Sequence, residues 1–166
     1  MPTKRPQRTV LRRIRLLLLD VDGVMTDGGI YYSGRGEELK QFNTKDGYGI
    51  VKLQRLGVKV GIITGRVSTI VKVRAKELGI TELHQNLDKK LVAYEKIKKK
   101  LGLTDSEVAY VGDDEPDLPV LRCVGFAAAP ADAMPQVLSM VDYVCRLAGG
   151  KGAVREVIDL ILDAQS

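Results

Sequence analysis

The sequence predicts an α/β domain: a three-layer, doubly wound parallel sheet carrying a β-hairpin inserted after its first strand. Two observations carry that prediction. Short apolar runs ending in Asp, Gly or Thr alternate with segments of helical period, the pattern left by parallel strands and their crossover helices. The length, 166 residues, suits one domain, since compact domains run to roughly 100–200 residues. Residues 15–166 are expected to form that domain, and residues 1–14 a basic amino-terminal arm.

In chain order, Arg15 to Asp20 reads as the first buried strand. Residues 28–43 break the alternation and read as two strands around the turn Ser33-Gly34-Arg35-Gly36, which is a hairpin. A helix over about Gly47 to Leu56 puts Ile50, Leu53 and Leu56 on one stripe and stops at Gly57. Lys59 to Ile63 is the next strand, and Ser68 to Leu78 the next helix, ended by Gly79. Leu83-His84-Gln85 is a weaker strand signal. Lys90 to Leu101 spaces Leu91, Tyr94, Ile97 and Leu101 helically, with lysines opposite and Gly102 after it. Val108 to Val111 and Gly125 to Ala128 read as strands, with a weaker signal at Tyr143-Val144. A last helix over about Ala153 to Ala164 buries Val154, Val157, Ile158 and Ile161. No repeat or low-complexity linker marks a domain boundary.

With 45% apolar and 28% charged residues, the composition is that of an ordinary folded chain and excludes a disordered one. The net charge of +5 is local in origin: Lys4, Arg5, Arg8, Arg12, Arg13 and Arg15 precede the first acidic residue, Asp20. Without those six, 20 basic residues face 21 acidic ones, so no basic face for nucleic acid is expected. The leucine run stops at Asp20 and Asp22 with no small-residue cleavage site, so neither an export segment nor a membrane span is expected. Cys123 and Cys145 have no metal-type spacing and fit a reduced, cytoplasmic setting.

Ligands of a doubly wound sheet bind beyond the carboxyl ends of its strands, and four polar groups fall there. Asp20 and Asp22 end the first strand; two carboxylates so close repel unless a cation or substrate separates them. One of such a pair can ligate a metal and attack while the other handles a proton. Thr64-Gly65-Arg66 leads from a strand into a helix amino terminus, where phosphate binds readily. Lys90 is a fixed positive charge at a helix start, suited to a phosphate oxygen. Gly112-Asp113-Asp114-Glu115-Pro116-Asp117 supplies hard oxygen ligands suited to magnesium. Singly, each has an ordinary reading: a turn for Asp20 to Gly23, a helix cap for Thr64, a solvated charge for Lys90, and a cap for Asp113 and Asp114. Their order along the chain joins them into one site.

In that order, Asp20 with Asp22, Thr64, Lys90 and Asp113 resemble the four motifs of the haloacid dehalogenase superfamily of phosphohydrolases. Longer strings make the resemblance more specific and point to the capless sugar-acid phosphatases within it. They are Asp20-Val21-Asp22-Gly23-Val24-Met25-Thr26-Asp27-Gly28, Asn43-Thr44-Lys45-Asp46-Gly47-Tyr48-Gly49-Ile50, Ile62-Ile63-Thr64-Gly65-Arg66, Gly112-Asp113-Asp114 with Asp117, and Gly149-Gly150-Lys151-Gly152-Ala153-Val154-Arg155-Glu156-Val157. The resemblance implies the haloacid dehalogenase fold, with Asp20 as the nucleophile that becomes an aspartyl phosphate and Asp22 as general acid, then base. It implies Mg2+ held by the Asp20 carboxylate, the Asp22 main-chain carbonyl and Asp113, with Asp114 and Asp117 as auxiliary partners. Thr64, Gly65 and Lys90 would hold the phosphoryl oxygens; Lys89 stands where the family usually has Asp, and Leu91-Val92-Ala93-Tyr94 aligns Lys90.

Only the hairpin of residues 28–43 separates the first motif from the next helix, which leaves no room for a cap domain. The resemblance therefore implies a homotetramer in which hairpins and carboxy-terminal segments of neighbouring chains complete each site. It implies a small sugar-acid phosphate as substrate, 3-deoxy-D-manno-octulosonate 8-phosphate, with a nonulosonate 9-phosphate as the alternative. Arg66 and Arg74 are candidate readers of its anionic group, because guanidinium pairs bidentately with carboxylate. A phosphoacceptor signalling module shares the clustered Asp, Thr and Lys, but Asp22 argues for turnover, which a switch does not require.

Overall fold

The computed structural model describes residues 6–166, so Lys4 and Arg5 of the basic arm lie outside the described residues. The chain runs α1 (Arg8–Leu11), β1 (Leu16–Leu19), β2 (Tyr31–Ser33), β3 (Gly36–Leu39), α2 (Thr44–Arg55), β4 (Lys59–Ile63), α3 (Thr69–Glu77) and β5 (Glu82–His84). It continues α4 (Lys90–Leu101), β6 (Val108–Val111), α5 (Leu118–Leu121), β7 (Phe126–Ala129), α6 (Pro135–Leu138), β8 (Tyr143–Val144) and α7 (Ala153–Gln165), with 3-10 turns at Asp105–Glu107 and Glu115–Asp117.

Six strands form one sheet in the order β5-β4-β1-β6-β7-β8, every pair parallel. The leucines of β1 are fully buried because both faces of the sheet are covered. Successive side chains point to opposite faces. Leu17 and Leu19 therefore join Ile50 and Leu53 of α2, Val71 of α3 and Val157, Ile158 and Ile161 of α7. Leu16 and Leu18 join Tyr94 and Ile97 of α4, Val120 of α5 and Val137 of α6. This is the expected three-layer doubly wound sheet.

Several local signals act as read. Gly102 takes φ 65° at the end of α4, a backbone that only glycine adopts without strain. Ser68 caps α3, its side chain accepting from Val71 N. Other boundaries move. Helix α2 starts at Thr44, three residues before the expected Gly47, because the Asn43 side chain accepts from Lys45 N and caps it there. The paired strands of the hairpin span only Tyr31–Ser33 and Gly36–Leu39; on either side the chain turns into the site described next. Residues 8–14 of the arm pack on the domain: Leu11 and Ile14 are buried, and Arg8 and Arg12 donate to the Asp163 and Ala164 carbonyls at the end of α7. Among the described residues, no helix is long and apolar enough to cross a membrane.

Candidate active site

The carboxyl ends of the three adjacent strands β4, β1 and β6 carry Thr64, Asp20 and Gly112-Asp113, and the first residue of α4 brings Lys90 to them. Each strand pairing continues one residue further: Asp20 N donates to Val111 O (3.0 Å), Thr64 N to His84 O (2.9 Å) and Gly112 N to Ala128 O (3.2 Å). The backbone under the site is thus fixed by the sheet itself.

Lys90 is 5% exposed and its Nζ donates to Asp20 Oδ1 (2.9 Å) and Asp117 Oδ1 (2.7 Å). Lys89, next to it, is exposed. Both oxygens of Asp117 are engaged: Oδ1 also accepts from Tyr110 OH (2.5 Å), and Oδ2 from the amides of Asp113 (3.0 Å) and Asp114 (3.3 Å). Asp114 caps the following turn, its Oδ1 accepting from Glu115 N, and is exposed.

Oxygens of Asp20, Asp113 and Asp117 lie within 4.8 Å of one another. Burial, then the Asp117 charge, push Asp20 up to about 7 against the pull of Lys90. Burial, then the Asp20 and Asp117 charges, push Asp113 up to about 8. Burial works against the Lys90 ammonium, but Asp20 and Asp117 outweigh it and hold it above the usual lysine range. Three carboxylates against one ammonium leave a deficit of positive charge, and Asp113 Oδ1 is buried without a hydrogen-bond partner. Hard oxygen donors, one of them orphaned, fit a divalent cation such as Mg2+. Asp117 is saturated, so Asp20 and Asp113 are the side chains able to hold it. Gly23 permits their approach: a Cβ there would stand 2.0 Å from Asp113 Oδ2, and its φ is +87°.

Asp22 stands outside this cluster, in contact with Lys40 and Arg66. Its Oδ1 accepts from Lys40 Nζ (2.5 Å), and its Oδ2 lies 3.7 Å from Arg66 Nε. Lys40 also pairs with Glu37 Oε2 (3.2 Å), while Glu37 accepts from Ser68 Oγ (2.5 Å) and Arg66 Nη2 (3.4 Å). Burial alone raises Glu37, but Ser68, Lys40 and Arg66 hold it below the usual carboxylate range. Arg66 also donates to Tyr32 OH (2.7 Å), which binds the hairpin to the strand end at Thr64. Arg74 is engaged elsewhere: Nη1 donates to Glu77 (2.8 Å), and its guanidinium lies 5.6 Å from the Phe42 ring centre.

The structure thus gathers Asp20, Lys90, Asp113 and Asp117, sets Asp22 and Arg66 beside them, and leaves Asp114 and Arg74 in other contacts. Sequence reasoning missed Lys40 and Glu37. Their only local signal is a pair of opposite charges three residues apart at the end of a hairpin. A groove of about 1280 Å³ beside β8 and α7 contains none of these residues.

Comparison with known proteins shows the family. The family model of haloacid dehalogenase-like hydrolases matches residues 49–125. The chain belongs to the haloacid dehalogenase-like hydrolases, whose fold it carries. Within that class it is similar to the 3-deoxy-D-manno-octulosonate 8-phosphate phosphatase KdsC of Escherichia coli, 53% identical over 152 residues, covering 92% of this chain and 81% of that protein. The crystal structure of the 3-deoxy-D-manno-octulosonate 8-phosphate phosphatase from Yersinia pestis superposes with TM-score 0.93 at 51% identity, covering 95% of this chain and 85% of that one. The Moraxella catarrhalis phosphatase of the same name, solved with a magnesium ion, a phosphate ion and a KDO molecule, superposes with TM-score 0.92 at 44% identity, covering 95% and 91%.

Proposed function

We propose that this protein is a magnesium-dependent phosphomonoesterase that hydrolyses 3-deoxy-D-manno-octulosonate 8-phosphate to the free sugar acid and phosphate, for lipopolysaccharide precursor synthesis. The observation that carries the reading is the buried Asp20–Lys90–Asp117 constellation at the strand ends, found in a chain 53% identical to a curated phosphatase of that name.

The Asp20 carboxylate attacks phosphorus and becomes an aspartyl phosphate, while the sugar oxygen leaves on the opposite side. Lys90, fixed by Asp117, holds Asp20 in place and offers its remaining proton to a phosphoryl oxygen beside Thr64 and the Gly65 amide. Asp22 delivers a proton to the leaving sugar oxygen, then takes one from the water that attacks the phosphoaspartate. Magnesium, held by the Asp20 carboxylate, the Asp22 carbonyl and Asp113, supplies neutralisation of the charge on the transferring group. Arg66, 40% exposed at its side chain beside Asp22, is the group proposed to meet the sugar-acid carboxylate. Tyr31, Tyr32 and Leu39 of the hairpin are 53%, 63% and 63% exposed, which suits contact with neighbouring chains in a homotetramer. Light scattering on the purified protein tests the tetramer.

The deciding experiment measures phosphate release from 3-deoxy-D-manno-octulosonate 8-phosphate beside a nonulosonate 9-phosphate and other sugar phosphates, with magnesium and with chelator. A strong magnesium-dependent preference for the octulosonate is expected. Preference for the nonulosonate overturns the substrate and keeps the chemistry. A stable phosphoprotein with no turnover returns the signalling reading.

A further inference from the structure

The motif beginning at Asn43 has no part in the chemistry above, yet Asn43 faces two ways. Its Oδ1 accepts from Lys45 N (2.8 Å) and starts α2, while its Nδ2 donates to Gly150 O (3.2 Å), 107 residues along the chain. Gly150 belongs to the turn that leads into α7, and this turn lies directly on the loop after β1. Gly150 N donates to Val24 O (3.0 Å). A Cβ on Gly149 would stand 1.9 Å from Gly23 O, and one on Gly150 2.6 Å from Asp27 N. Backbone therefore meets backbone with no side chain between them. On its other side, Gly23 is the residue against which Asp113 sits, with room for no Cβ. Two more ties hold the same turn: Asp46 Oδ1 accepts from Arg155 N (2.8 Å) in the first turn of α7, and Asp132 Oδ1 accepts from Gly149 N (2.9 Å).

We propose that Asn43 is a positioning residue for the metal centre. Acting through Gly150, it presses the Gly23 loop against Asp113, so that the Asp22 carbonyl and the Asp113 carboxylate are fixed relative to each other before magnesium arrives. The inference rests on the magnesium-dependent reading. Its physical basis is that a ligand free to drift must be ordered on binding, and losing an outer support typically costs 10–100-fold in affinity, on the order of other metal sites.

Two substitutions separate this role from the capping of α2. Asn43→Ser and Asn43→Asp both keep a side-chain oxygen favoured at a helix start, and neither has the N–H that reaches Gly150. The full-length, metal-free protein is titrated with Mn2+ by electron paramagnetic resonance and with Mg2+ by calorimetry, alongside thermal melting. In both variants the dissociation constant is expected to rise about tenfold or more, with the metal-free melting temperature little changed. The magnesium concentration giving half-maximal phosphate release should rise by the same factor, while KM for the sugar phosphate at saturating magnesium stays within about twofold. Metal affinity equal to wild type in both variants overturns the inference, whatever melting shows. A wild-type protein that binds neither cation overturns the functional reading and the inference with it, so the wild-type titration tells the two failures apart.

Discussion

Lys40 Nζ stands 2.5 Å from Asp22 Oδ1, and the lysine side chain has no exposure to solvent. The hairpin is therefore more than a surface insertion: its last residues bring a buried ammonium to the carboxyl proposed to handle the proton. Lys40→Met keeps the length and removes the charge. The side chain that transfers the proton contributes roughly 10²–10⁴-fold, and Lys40 acts only by holding it, so kcat on the sugar phosphate should fall by less than that, about tenfold. Loss on an aryl phosphate, whose leaving group needs no proton, should be much smaller. Equal losses on both substrates would remove Lys40 from the proton path.

Asp20→Asn is expected to abolish phosphate release while the protein stays folded, since it removes the proposed nucleophile and relieves repulsion with Asp117. Asp117→Ala should act differently. It strips Lys90 and Tyr110 of a buried partner and leaves two amides unpaired, a loss of roughly 3–5 kcal/mol by the usual cost of breaking a buried pair. Urea denaturation of the two variants checks the contrast.

Gly23→Ala should be among the most damaging small substitutions. Its φ of +87° strains any residue with a Cβ, and that Cβ would displace Asp113. Magnesium affinity is expected to fall at least about tenfold, read by calorimetry.

Much of this fold was legible because it is written locally. The strands Lys59–Ile63 and Val108–Val111 and the helix Lys90–Leu101 fall where apolar runs and spacing put them. The four-residue helices Arg8–Leu11, Leu118–Leu121 and Pro135–Leu138 are too short to show a period, so no stripe announces them. Asp20, Lys90 and Asp113 were legible because a doubly wound sheet sends all strand ends to one side. Lys40, Glu37 and the Asn43–Gly150 contact were not, because each depends on where a distant loop lands. Arg66 and Arg74 looked alike in sequence, and only packing separates one beside Asp22 from one over the Phe42 ring.

Glu156 gives a pH prediction with a definite sign. Its carboxylate accepts from Tyr143 OH (2.6 Å), Arg146 N (3.0 Å) and Leu147 N (3.2 Å), and so holds the chain that leads to the Gly149–Gly150 turn. Burial alone raises its proton affinity, but these donors outweigh it and hold the carboxyl below its ordinary value of 4.5. A group depressed in the folded state binds fewer protons there than in the unfolded chain. Its contribution is therefore complete above about pH 4.5 and is lost as pH falls through the lower folded value. Glu156→Gln should lower stability at pH 7 by roughly 1–3 kcal/mol, the cost of weakening hydrogen bonds to a charged acceptor. The wild-type and variant urea midpoints should then converge as the pH is taken from 6 toward 3. Curves that stay parallel over that range would show that the Glu156 charge has no part in holding the turn.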